Sequence, residues 1–124
     1  MRVLVDTSVW VDYFRRGDSR LAALLESDDV LCHPFVIGEL ACGHLFPRQE
    51  ILDRLALLPL TTQANHTEVL QFIGLHGLFE KGIGFIDVHL LASSALTKVS
   101  LWTHDKRLSR IARDLGTAFS GPAE

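Results

Sequence analysis

Cysteine is scarce in this chain of 124 residues: only Cys32 and Cys42 are present. Two thiols cannot build a disulfide framework or a zinc tetrad. Both lie among apolar neighbours and are expected to serve as small core residues, in a reducing cytoplasm. Long apolar runs are also missing. No stretch approaches the roughly 20 residues needed to cross a bilayer, and Met1-Arg2-Val3-Leu4-Val5-Asp6 is too short for a signal peptide. A membrane partner is therefore not expected. Repeats, low-complexity tracts and linker-like segments are absent too, so residues 1–124 are expected to form a single domain.

A strong charge of either sign is also lacking. The formal net charge is −3, from 15 acidic and 12 basic residues. What is plentiful is apolar side chain, at 48%, enough to bury a substantial core without covalent staples.

The apolar pattern alternates short strands with amphipathic helices. Residues 2–5 read as a buried strand and are followed by a helix through Trp10, Val11 and Phe14. After the Gly17-Asp18-Ser19 turn, Leu21, Leu24 and Leu25 give the next helix its stripe. Val30-Leu31-Cys32 is a second strand, and Pro34 opens a helix carrying Val36, Ile37, Leu40 and Ala41. Ile51, Leu55 and Leu58 mark a helix ended by Pro59, with a short strand expected at Leu60-Thr61-Thr62. Helices over 64–79 and 86–96, a strand at 100–103, and a helix through Leu108, Ile111 and Leu115 complete the order, with a last strand at 117–119. This alternation predicts an α/β fold: a short, mainly parallel sheet flanked by helices.

Two of the strands run into aspartate. Asp6 closes Val3-Leu4-Val5, and Asp105 follows Ser100-Leu101-Trp102-Thr103. Ligands of open α/β sheets bind at the carboxyl ends of the strands, so the two point to one acidic site. Each could instead be a helix N-cap. Glu39, within Phe35-Val36-Ile37-Gly38-Glu39-Leu40-Ala41-Cys42, would be costly if buried without a partner, or could lie on a polar stripe. Asp87 follows Gly84-Phe85-Ile86 and could be an ordinary first-turn acid. Taken together the four explain one another. Clustered carboxylates repel unless cations intervene, and all-oxygen sites suit Mg²⁺ or Mn²⁺. Such ions serve phosphodiester hydrolysis. With these four set aside as ligands, 11 acids face 12 bases, so the overall charge does not exclude a polyanionic substrate.

In these segments the sequence resembles the PIN-domain ribonucleases, specifically the VapC toxins of toxin–antitoxin pairs. The resemblance spans essentially the whole chain. It rests on Val3-Leu4-Val5-Asp6-Thr7-Ser8-Val9-Trp10, on the glutamate of Val36-Ile37-Gly38-Glu39-Leu40, on the Asp87-led helix to Leu96, and on Leu101-Trp102-Thr103-His104-Asp105-Lys106-Arg107-Leu108. It implies a PIN-like fold and an Mg²⁺- or Mn²⁺-dependent endoribonuclease whose metal-site acids are Asp6, Glu39, Asp87 and Asp105. Thr7, Ser8 and Thr103 match polar positions that support those acids. A homodimer and a VapB-type antitoxin partner are implied, with RNA, tRNA among the family's targets, as substrate. Water activated by the carboxylate-held ion would attack phosphorus and leave 5′-phosphate and 3′-hydroxyl ends. Leu91 stands where many relatives carry Ala, and Gly82-Ile83-Gly84 replaces a segment that often contains Ser or Thr.

Arg15, Lys106 and Arg107 flank the acids in sequence and are candidate RNA contacts, as are Arg16, Arg110 and Arg113; a solvated helix face is the plainer reading. The histidines lack metal-ligand spacing, and His104 is expected at a pocket rim or on the surface. Trp10, Phe14, Phe35, Phe46 and Phe72 are expected to be mostly core. Two other readings compete. A haloacid-dehalogenase-like phosphatase would need a second Asp where Ser8 stands. A catalytically silent binding module on the same fold would keep the acids without binding ions.

Overall fold

A computed structural model describes residues 1–120; residues 121–124, included in the single-domain expectation, lie outside the described residues. The chain runs β1 (Val3–Val5), α1 (Thr7–Arg16), α2 (Ser19–Glu26), β2 (Val30–Leu31), α3 (Pro34–Cys42), α4 (Arg48–Leu55), α5 (His66–His76), α6 (Phe85–Thr97), β3 (Ser100–Trp102) and α7 (Lys106–Asp114). The three strands form one parallel sheet in the order β2-β1-β3. The α/β expectation therefore holds.

Val3, Leu4 and Val5 of the central strand are all fully buried. A run of β-branched and leucine side chains without alternation is what a parallel strand covered on both faces requires. Leu21, Leu31, Leu90, Leu91, Leu101 and Leu108 pack into the same core at 2% exposure or less. Helix ends are written in the sequence. The Asp18 carboxylate accepts the backbone N–H groups of Arg20 and Leu21 at the start of α2. Asn65 and Glu68 form a reciprocal capping box at the start of α5.

Several expectations need correction. The segments 60–62 and 117–119 each contribute only a single bridge, Cys32 to Leu60 and Leu101 to Ala118, rather than strands. The helix expected over 64–79 spans His66–His76, because the capping box fixes its start and Gly77, in the left-handed conformation, its end. Cys42 is exposed at the last turn of α3, whereas Cys32 is buried. Phe46 and Phe35 are also surface residues, 85% and 40% exposed. Their apolar character was visible in the sequence, but apolar character does not reveal whether a loop or a helix end is covered.

The connection from β1 leads to β2 on one side, while β3 pairs on the other. The carboxyl ends of β1 and β3 thus flank a switch point of the sheet, where open α/β folds bind ligands.

Candidate functional site

Asp6 leaves β1 with its N–H bonded to the Trp102 carbonyl at 2.9 Å, so β1 and β3 remain registered up to the site. It occupies the N-cap position of α1, yet its side chain makes no capping bond. Its Oδ2 instead accepts two hydroxyls, Ser8 Oγ at 2.8 Å and Thr103 Oγ1 at 2.7 Å. The carboxylate is only 6% exposed. A buried acid turned away from an available cap is held for something else.

Asp105 does cap its helix, with Oδ1 accepting the Leu108 N–H at 2.9 Å. Its own N–H donates to Thr103 Oγ1 at 3.1 Å, so one threonine hydroxyl joins the two strand-end acids. Glu39, in the middle of α3, accepts the Thr7 hydroxyl on Oε1 at 2.6 Å. It is exposed, so the cost of burial does not bear on it. Asp87, in the first turn of α6, accepts the Gly84 N–H on Oδ2 at 3.1 Å.

The four carboxylates share one neighbourhood. Asp87 is held above the usual carboxylate range, first by burial, against the lowering effect of the Gly84 N–H, and then by the negative charges of Asp6, Asp105 and Glu39. In each acid one oxygen is engaged by a protein hydroxyl or amide, and the other has no bond from a described residue. No Lys or Arg among the described residues pairs with any of them. Among the described residues no three His, Cys, Asp or Glu side chains stand in a closed ligand cluster. The four acids are thus within electrostatic range but not drawn together. The donor set is all oxygen, which fits a hard divalent cation.

The PIN domain family matches residues 3–114. The chain belongs to the PIN-domain family. All four carboxylates fall within the matched span, as do Thr7, Ser8 and Thr103. This PIN domain is 44% identical over 119 residues to Ribonuclease VapC32 of Mycobacterium tuberculosis, with 95% of the chain and 96% of that protein covered, and the same match occurs in two strains. Its fold is similar to that in the crystal structure of PAE2754 from Pyrobaculum aerophilum, with a TM-score of 0.61 at 15% identity, covering 90% of this chain and 79% of the other.

The basic candidates separate in space. Arg15 lines a cavity of about 480 Å³ together with Glu39, Leu40 and Phe46. Lys106 and Arg107 begin α7, and Arg107 lies across Gly82. His104, expected at a pocket rim or on the surface, has contacts the sequence does not show: its Nδ1 meets Asp12 Oδ2 at 2.5 Å, and its backbone N–H donates to Ser8 Oγ at 3.0 Å. Asp12 in turn pairs with Arg16. His104 therefore braces the hydroxyl that holds Asp6. Nothing local in the sequence links positions 12 and 104.

Proposed function

We propose that the chain is an endoribonuclease, the toxin of a type II toxin–antitoxin pair, which hydrolyses RNA phosphodiester bonds with Mg²⁺ or Mn²⁺. One observation carries this reading: four carboxylates, at the end of β1, on α3, in the first turn of α6 and at the N-cap of α7, each keep an oxygen free of the protein, and Asp87, raised first by burial, also feels the charges of the other three. The nearly full-length similarity to a protein named a ribonuclease supports it.

In this reading Asp6, Glu39, Asp87 and Asp105 hold the ion through their uncommitted oxygens. When bound, the ion supplies the charge that activates water and stabilises the departing oxygen. The chain's own part is orientation. Ser8 and Thr103 fix Asp6, Thr7 fixes Glu39, the Gly84 N–H fixes Asp87, and the Leu108 N–H fixes Asp105. Such supporting bonds restrict each carboxylate to a narrow range of directions.

RNA, a VapB-type antitoxin and a second copy of the chain are the proposed partners. Exposed Phe35, Phe46, Phe79 and Phe85 offer apolar area to a protein partner. A single domain and a cytoplasmic location complete the proposal; two free cysteines suit a reducing compartment. Among the described residues no helix is long and apolar enough to cross a membrane.

The test is incubation of antitoxin-free protein with total cellular RNA and Mg²⁺ or Mn²⁺, beside Asp6→Asn, followed by sequencing of new 5′-phosphate ends. Discrete metal-dependent cuts that vanish in the variant are expected. Products ending in 2′,3′-cyclic phosphate would contradict hydrolysis by activated water. Absence of cleavage from folded protein would favour the silent binding module.

A further inference from the structure

A second charged feature lies along α7. The loop that enters α6 and the exposed face of α7 enclose a cavity of about 280 Å³, lined by Lys81, Arg107 and Arg110 over Leu78 and Ile111, with Asp114 the one acid. Among the described residues none of the three cations is ion-paired. Unpaired like charges around one concavity repel one another, and an anion relieves that repulsion.

The pocket is fitted to its cations. Gly82 sits at φ 78°, a conformation that side chains rarely adopt, and a Cβ there would stand 2.8 Å from Arg107 Nη1 and 3.1 Å from its Cδ. Arg107 thus lies flat against the loop, with a long 3.5 Å bond to the Gly82 carbonyl. Two residues later the Gly84 N–H orients Asp87. The loop that seats the arginine also sets an acid of the candidate centre. Helix α7 makes the same link, because Asp105 is its N-cap and Arg110 follows less than one and a half turns on.

We propose that this pocket binds a backbone phosphate of the RNA strand beside the cleaved bond, an inference that rests on the nuclease reading above. A centre of four carboxylates repels a polyanion, so affinity has to come from cations placed next to it, and phosphate contacts fix a strand's register without reading its sequence. Lys81 supplies a point charge, and Arg107 and Arg110 supply planar donor edges. Asp114 limits the affinity from the rim.

The experiment is fluorescence anisotropy of a labelled single-stranded RNA oligonucleotide with the full chain, in EDTA, over a KCl series. The Lys81→Ala/Arg110→Ala double variant is expected to weaken binding roughly tenfold and to flatten the log–log salt slope by about 1.4, about 0.7 for each lost contact. Asp114→Asn is expected to tighten binding, a gain that a folding defect cannot produce. Arg2→Ala/Arg54→Ala, an equal change of charge at two positions outside the pocket's lining, should leave binding unchanged. An unaltered salt slope in the double variant, or no salt-sensitive binding by the wild-type chain, overturns the assignment. Equal competition by inorganic phosphate and by oligonucleotide overturns it as a strand site. Metal-dependent cleavage by the wild-type chain is measured in parallel. Its absence, with the binding losses intact, would reject the nuclease and keep the pocket; its presence, with the slope unaltered, would do the reverse.

Discussion

Thr103 serves two acids with one oxygen, donating to Asp6 and accepting from the Asp105 N–H. Thr103→Val keeps the shape and removes both bonds. We expect a 10–100-fold loss of Mn²⁺ affinity or of RNA cleavage, with an unchanged circular dichroism spectrum and rescue by Thr103→Ser. His33 supports a prediction of another kind. It is 1% exposed, its Nδ1 accepts the Phe35 N–H, and burial, reinforced by the nearby His89, lowers its pKa to about 4. The unfolded chain takes up that proton near pH 6.5 and the folded chain only near pH 4, so the unfolded state binds more protons in between. Stability should therefore be full above about pH 6.5 and fall by up to about 3 kcal/mol as the pH drops towards 4. His33→Phe should remove most of that slope in denaturant titrations at several pH values. As candidates, Asp6 and Asp105 were legible in the sequence because a carboxylate at the end of a buried strand is conspicuous, and Glu39 and Asp87 because they stand within apolar stretches. The bonds that orient them were not: Ser8 to Thr103 and Asp12 to His104 span more than 90 residues.

Elements were legible where local chemistry sets their ends. The Asp18 cap and the Pro34 start were legible from side chains within a few residues, whereas the Asn65 cap and the Gly77 stop, equally local, were passed over by the helix expected at 64–79. Asn65→Ala removes one half of a reciprocal box and should cost about 1 kcal/mol in urea unfolding, without affecting RNA cleavage. The strands at 60–62 and 117–119 were misjudged because a β-branched, polar-spaced triplet does not reveal whether a neighbour lies alongside it for one residue or three. Exposure was misjudged for the same reason at Cys42, Phe35 and Phe46. Cover is a tertiary property, and no period in the sequence encodes it.

At the scale of the whole molecule, a fully buried central strand fixes the distance between the two strand-end acids, and α3 and α6 bring up the other two. Leu4, at the middle of β1, is fully buried. Leu4→Ala should cost about 3–5 kcal/mol and threaten the site through the sheet rather than through any direct contact. The central claim is that the four carboxylates act as one cation site. It is tested most directly by titrating Mn²⁺ into the wild-type chain and into Asp6→Asn, Glu39→Gln, Asp87→Asn and Asp105→Asn, with binding followed by electron paramagnetic resonance. The account predicts saturable binding by the wild-type chain that each of the four substitutions weakens by at least about tenfold. Wild-type binding that survives all four changes, or no binding by the folded wild-type chain, would contradict it.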